Sequence, residues 1–493
     1  MSLAQKAARG ALWTVISSMG GRAIGVIGTL VITRFLHPRQ IGEVAAATVL
    51  AMSANWITIW GFGQYAVVHG RGDNALEVTW HATVFYAVLG ALSLGAMALF
   101  GAQLLPYLDA PGAAAFLPGM CLALYIRRLG AMPERVLTRR MQFRASGMAL
   151  ALGETSYAIT AVAFAAAGFG GMSIVIGNLV QSVVVVAILI QAAGLREWAT
   201  PMKLRAERIK HMLEFGIPLG IQGIAGQAAR YWDRLAITYY FGPAATGVYN
   251  NAYNLADIPA IQVGEQIALV LMPSMAELPP ERRPRALERS AALLSLIIFP
   301  LAVGLGLVAD PLIALLLPAN EWQAVAPLLT VLACLSIFRP FTWVISAYLE
   351  AESKTNRLML LEVVKVAILL GGIALLHPFG LLVASGSVGV AFGVPAIVGA
   401  FLVTREGVSP TRLAIGFIQP VLACGVMATV VWLVHEGLVA IDLDHPAIQL
   451  SAMVVTGALA YVGAALVIAR ERSRDLLGLV KQALRRKPAG ASF

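Results

Sequence analysis

The sequence predicts an all-α, polytopic membrane protein: about 14 transmembrane helices in two pseudo-symmetric six-helix bundles plus two C-terminal helices. Three observations predict it. The chain is 59% hydrophobic and only 13% charged over 493 residues, where a soluble domain carries about 25% charged residues. Apolar stretches of about 20 residues recur along the whole length, each long enough to cross roughly 30 Å of hydrocarbon as a helix. Lys and Arg fall almost entirely in every second loop, the distribution expected when those loops face the cytoplasm.

Taken in order, the first bundle reads as spans 11–33, 41–67, 80–104, 114–133, 145–168 and 172–193. The first tract lacks a small-residue cleavage site and is expected to be a retained span rather than a signal peptide. Residues 194–212 form a cytoplasmic linker, whose stretch REWATPMKLRAERIKHM (196–212) can place charge and apolar residues on two faces of a short interfacial helix. The second bundle, 213–403, reads as spans 213–240, 247–273, 289–309, 324–349, 358–377 and 380–403. Spans 414–435 and 447–469 fill the segment 404–470, and the tail 471–493 is cytoplasmic. In RERSRDLLGLVKQALRR (470–486), Leu476, Leu477, Val480 and Leu484 recur at helical spacing, as in a surface-lying helix.

With the N-terminus inside, 29 Lys and Arg lie on the cytoplasmic side and only Arg34 and Arg39 on the other. An even number of spans with both termini cytoplasmic follows. The net charge of +10 is therefore a topology signal spread over short segments, not the clustered basic surface of a nucleic-acid binder. Cys121, Cys334 and Cys424 all fall inside spans and read as small apolar packing residues, with neither disulfide nor metal spacing.

The segment FLHPRQIG (35–42) recurs as YFGPAATG (240–247), with Pro38 matching Pro243 and Gly42 matching Gly247. A second echo pairs CLALYIRR (121–128) with CLSIFRPF (334–341). Order and topology match, so the halves are read as a parallel repeat about an axis along the membrane normal. In each Pro-x-x-x-Gly, Pro fixes φ and Gly is expected to admit a tight turn.

Five cations remain inside spans: Arg22, Arg230, Arg234, Arg339 and Lys365. Each costs roughly 2.5–3.5 kcal/mol at the centre of a membrane helix on insertion scales. Arg22 sits in the first helix of the first half, and Arg230 and Arg234 in the first helix of the second, on one face with Gln227. Asn250, Asn254, Asp257 and Glu265 form a polar stripe along span eight. Glu154, Asp233, Asp257, Glu265 and Glu362 are the in-span acids, equal in number to the bases. Two readings stand: structural pairing of these charges, or a hydrated central cavity that they line.

Enzyme motifs are missing: there is no phosphate-binding P-loop, HExxH, GxSxG or CxxC, and the seven His form no ligand-spaced pair. Neither cofactor nor metal is expected, and an ATPase site on this chain is excluded.

The opening GALWTVISSMGGRAIGVIGTLVITRFLHPRQIGEVAAATVL, the cytoplasmic MPERVLTRRMQFRA (132–145) and RYWDRLAITYYFGPAATGVYNNAYNLADIP (230–259) resemble the polysaccharide-transporter, or O-antigen flippase, family. That family belongs to the multidrug/oligosaccharidyl-lipid/polysaccharide exporter superfamily. The likeness runs over essentially the whole chain, although LHPRQIG stands where a Leu-Thr-Pro variant is common. It implies a bacterial inner-membrane flippase that moves undecaprenyl-pyrophosphate-linked oligosaccharides outward by alternating access, for surface polysaccharide export. The implied partners are the lipid-linked oligosaccharide, membrane lipids, and a polysaccharide polymerase with its chain-length regulator; nucleic acid is not among them. Substrate binding is then expected at Arg22, Arg230, Arg234 and Arg339, since Arg suits an anionic pyrophosphate. Asp233, Asn250, Asn254, Asp257 and Glu265 are expected to line the cavity or couple transport.

A lipid II flippase and a drug or cation antiporter of the same superfamily are the alternatives. Arg22 in the first span weighs against the antiporter, which would favour acids there. A polytopic glycan polymerase or ligase would carry a large periplasmic loop, and these loops are short.

Overall fold

The structure, a computed structural model, describes residues 20, 24–25, 27–58, 60–70, 74–140, 142–259, 271, 275, 278–318, 321–352 and 354–485. Among them there is no β-strand. Contacts divide the chain into two compact units, Met1–Asn250 and Asn251–Phe493.

The first unit holds α1 (Pro38–Trp56), α2 (Phe62–His69), α3 (Ala75–Phe100), α4 (Leu117–Leu129), α5 (Ala131–Arg139), α6 (Phe143–Ala166), α7 (Met172–Ala193) and most of α8 (Ala206–Pro259). Pro38 opens α1, where its missing N–H costs nothing, and the Gln40 side chain accepts from the His37 N–H at 3.2 Å. Ala46, Ala47, Leu50 and Ala54 of α1 pack with Leu94 of α3, Leu117 and Cys121 of α4 and Val175 of α7. The small residues are there for helix approach. A Cβ on Gly153 would lie 2.4 Å from Val185, and one on Gly177 2.8 Å from Ala161, so α6 and α7 meet nearly backbone to backbone.

Helix α8 is broken once, at Gly242, where φ 80° and ψ 173° turn the chain between the arms 206–241 and 243–259. A left-handed φ of this kind is open to glycine at little cost. The first arm is held on the first unit: Trp232 Nε1 donates to Ser53 Oγ at 3.1 Å, and a Cβ on Gly216 would sit 1.8 Å from the Trp60 carbonyl oxygen. This is why the contacts divide the chain inside α8 rather than at the linker.

The glycines of the two Pro-x-x-x-Gly segments work differently from the expectation. Gly42 and Gly247 are both helical and make no turn; Gly242 makes it. Instead each lies against the proline of the other segment. A Cβ on Gly42 would be 1.6 Å from the Pro243 carbonyl oxygen, and one on Gly247 1.9 Å from that of Pro38.

The second unit holds α9 (Arg283–Leu307), α10 (Ala309–Leu316), α11 (Val325–Leu335), α12 (Arg339–Ala351), α13 (Thr355–Leu376), α14 (Leu381–Ser385), α15 (Ser387–Thr404), α16 (Pro410–Ala440), α17 (Pro446–Ile468) and α18 (Arg470–Arg485). Phe299, Val344, Tyr348, Cys424, Met427 and Tyr461 form its core. The Tyr461 hydroxyl donates to the Leu296 carbonyl at 2.8 Å, which satisfies the polar tip of a buried ring. Outward, Leu375 and Val467 are 77% and 79% exposed, an apolar surface suited to lipid rather than water.

Nine helices among the described residues are long and apolar enough to cross a membrane. Fourteen spans were expected. The first lies mostly outside the described residues. The second stops at Trp56 and resumes at Phe62 after Gly61, whose φ is 67°. The fourth divides at Gly130 into α4 and α5, the seventh is the first charged arm of α8, and the eighth coincides with the second arm as far as Pro259, its residues 260–270 lying outside the described residues. The linker also departs from expectation: Leu195–Glu197 is a single 3-10 turn, and the chain is not helical again until Ala206. Pro201, which lacks an N–H and disfavours helical backbone in the residue before it, accounts for the interruption there.

Candidate functional site

The first arm of α8 stacks Arg230, Arg234 and Thr238 at intervals of one turn. Arg234 is 5% exposed and Asp233 1%, so both charges have left water and must be satisfied inside. Arg234 Nε donates to Asn250 Oδ1 at 2.7 Å and its Nη1 to the Arg230 carbonyl at 3.0 Å. Nη1 also lies 3.5 Å from Asp233 Oδ1. The other carboxylate oxygen accepts from the Tyr249 hydroxyl at 2.7 Å. Thr246 donates to Thr238 at 2.9 Å, closing the two arms above the network. Arg230 is half-buried, its guanidinium 5.9 Å from the Tyr231 ring centre.

A comparable network lies in the second unit. The 3-10 turn Ser336–Phe338 ends at Arg339, the first residue of α12. Arg339 is buried and ion-paired with Asp257. Its Nη2 donates to the Tyr253 hydroxyl at 3.1 Å, and the guanidinium lies 4.7 Å from the centre of the Phe392 ring. Lys365 approaches the same ring at 5.4 Å and pairs with Glu362 one turn away. A cation over an aromatic face is attracted by the ring quadrupole, which adds to the ion pair once water is excluded.

Of the two readings of the in-span charges, pairing describes Asp233, Arg234, Asp257 and Arg339 as they stand. Asn250 takes part, and Asn254 is exposed. Glu154 accepts from Gln181 Nε2 at 3.0 Å. Arg22 and Glu265 lie outside the described residues. Sequence reasoning missed Tyr249 and Tyr253. Their signal is the ladder Tyr249, Tyr253, Asp257, one turn apart on the second arm, which supplies a hydroxyl or carboxylate at each step.

Two further networks gather the basic residues of the loops. Arg139 and Arg140 both reach Glu197, and the Arg140 hydrogen bond holds that carboxyl below its usual range against a partial desolvation cost. In the second unit Arg283 donates to Glu352 at 2.7 Å, and Lys354 ion-pairs with Glu406 at 2.7 Å. The Arg283 hydrogen bond likewise depresses the Glu352 carboxyl.

The sequence pattern of the polysaccharide biosynthesis protein family matches residues 31–327. The chain is 26% identical to the succinoglycan biosynthesis transport protein ExoT of Rhizobium meliloti (strain 1021), over 97% of each chain. It is 23% identical to the lipopolysaccharide biosynthesis protein WzxC of Escherichia coli (strain K12), over 76% of each. In fold it is similar to the lipid II flippase MurJ in an inward closed conformation, with TM-score 0.78, 14% identity, and coverage of 93% of this chain and 99% of that one. An all-helical, multi-pass architecture, apolar outside and carrying charge networks inside, thus coincides with a match over more than half the length: the chain belongs to the polysaccharide biosynthesis protein family.

Proposed function

We propose that the protein is a flippase that moves undecaprenyl-pyrophosphate-linked oligosaccharides from the cytoplasmic to the periplasmic leaflet of a bacterial inner membrane by alternating access, for surface polysaccharide export. The observation that carries this reading is the end-to-end similarity to a succinoglycan transport protein, over 97% of each chain. The chemistry supports it. A sugar head cannot cross hydrocarbon unaided, because each hydroxyl that loses its hydrogen bonds costs several kcal/mol. Buried guanidinium groups suit the pyrophosphate, whose oxygens they can bind two at a time.

In this reading Arg230, Arg234 and Arg339, with Arg22, hold the anionic head by exchanging partners. Asp233 and Asp257 neutralise Arg234 and Arg339 when no substrate is bound, and the substrate phosphates take their place. Such an exchange keeps each cation paired throughout, and the displaced carboxylates, both buried, must take up water or a proton as the substrate enters, because a lone buried charge is costly. Asn250, Asn254 and Glu265 line the path. Both termini are cytoplasmic, no bond is made or broken, and a polymerase and chain-length regulator receive the product.

The test is deletion of the gene followed by analysis of lipid-linked intermediates. The reading expects an undecaprenyl-linked oligosaccharide to accumulate on the cytoplasmic face, with loss of the surface glycan. Unchanged intermediates and glycan would refute it, and accumulation of lipid II instead would assign the lipid II substrate.

A further inference from the structure

By sequence, Arg128 reads as one more cation marking the cytoplasmic side. The structure folds it inward. Arg128, at the end of α4, turns its guanidinium to within 5.4 Å of the Tyr86 ring centre. Its Nε and Nη2 both donate to Asn55 Oδ1, at 3.1 and 2.7 Å. Among the described residues no carboxylate lies within ion-pair distance of it, and its Nη1 makes no hydrogen bond. Arg135, one helix on in α5, is partly buried and makes neither hydrogen bond nor ion pair among the described residues. It reaches the same place: a Cβ on Gly63 would lie 3.1 Å from Arg135 Nε and 2.8 Å from Tyr86 Oη. Tyr86 Oη accepts from the Gly63 N–H at 2.9 Å, so the hydroxyl proton remains for an incoming acceptor.

Two arginines farther along the chain are treated otherwise. Arg139 and Arg140 share Glu197. At position 55 an aspartate would have the same shape as asparagine and would give Arg128 a full ion pair. The chain has the neutral amide, which orients the guanidinium fork without cancelling its charge. Two half-buried cations, a tyrosine proton and no acid constitute a site short of about two negative charges. A diphosphate ester carries that charge and offers oxygens spaced for two guanidinium forks.

We infer that Asn55, Tyr86, Arg128 and Arg135 form an anion site in the first unit that takes the pyrophosphate of a polyprenyl-linked head at the cytoplasmic end of the bundle. This rests on the flippase reading and adds a loading site to it. The chemistry would also admit the phosphate of an ordinary anionic lipid, and the test separates the two.

The full-length protein in detergent is titrated with farnesyl pyrophosphate, inorganic pyrophosphate and phosphatidylglycerol vesicles. Farnesyl pyrophosphate affinity is expected to fall about tenfold or more in Arg128→Gln and in Arg135→Gln, and less in Arg128→Lys, as for loss of charge-assisted bonds. The decisive variant is Asn55→Asp. It strengthens the contact to Arg128 while supplying the missing negative charge, so affinity falls while the melting temperature does not. If Asn55→Asp and Arg128→Gln bind farnesyl pyrophosphate like the wild type, the site is wrong. If only phosphatidylglycerol binding responds to the variants, the site holds structural lipid and the proposal again fails. Neither failure touches the flippase reading, whose own test is the intermediate that accumulates on deletion.

Discussion

Gly42 and Gly247 occupy matching places in two repeated Pro-x-x-x-Gly segments, and each is pressed against the carbonyl of the proline that begins the other segment. The repeat is thus also a crossing, in which one half of the motif supplies the carbonyl and the other the missing side chain, in both directions. At either position a methyl group has no room, since the obstacle is backbone and cannot rotate away. Gly42→Ala and Gly247→Ala should each destabilise the protein by about 1–3 kcal/mol, the usual cost of overpacking. Gly463→Ala is the control: nothing lies within 4 Å of its Cβ position, and in a helix alanine is favoured by up to about 1 kcal/mol. Thermal unfolding of the detergent-solubilised variants should show two lowered midpoints and one unchanged or raised.

The Asp257 carboxylate is the ion-pair partner of buried Arg339. Removing its charge leaves the guanidinium with Tyr253 and the Phe392 ring alone. Asp257→Asn should therefore cost roughly 3–5 kcal/mol. The double variant Asp257→Asn with Arg339→Gln should cost less than the two singles together, since no lone charge remains buried. A double-mutant cycle on unfolding midpoints measures this, and additive losses would mean that the pair is uncoupled.

Glu197 clamps the segment after α7 through Arg139 and Arg140. Its folded pKa is depressed, chiefly by the Arg140 hydrogen bond, so its contribution is present above the unfolded carboxylate pKa of about 4.3. It is lost as pH falls below that value toward the folded pKa. Hydrogen-exchange protection at residues 195–200, corrected for intrinsic exchange, should drop on acidification from neutral pH to below 4. In Glu197→Gln it should already be low at neutral pH and change little.

Much of the fold was legible because membranes impose simple rules. The span 172–193 coincides with α7 and 447–469 with α17 to within a residue, since an apolar run of fixed length bounded by Gly or Pro leaves few choices. What the sequence did not reveal depends on neighbours. The break at Gly61 and the non-helical 200–205 are local events inside or beside apolar or charged tracts, with no periodicity to announce them. The charged residues of α8 were visible as anomalies, but their partners were not. Tyr249 and Tyr253 read as ordinary aromatic residues in a span, and only the packing of the two arms brings Tyr249 to Asp233. Arg128 misled in the opposite direction, because the loop-charge rule accounts for it fully until Asn55 is seen holding it indoors.

The most direct measurement is translocation itself. The purified protein is reconstituted into liposomes carrying a polyprenyl-pyrophosphate-linked oligosaccharide with a fluorescent sugar, and the label facing outward is quenched or cleaved over time. The account predicts that label becomes accessible from the opposite leaflet only with the protein present, and that Arg234→Gln and Arg339→Gln slow this without preventing reconstitution. Equal rates in protein-free liposomes and in those with the wild type, under conditions where the protein is folded and inserted, would contradict it.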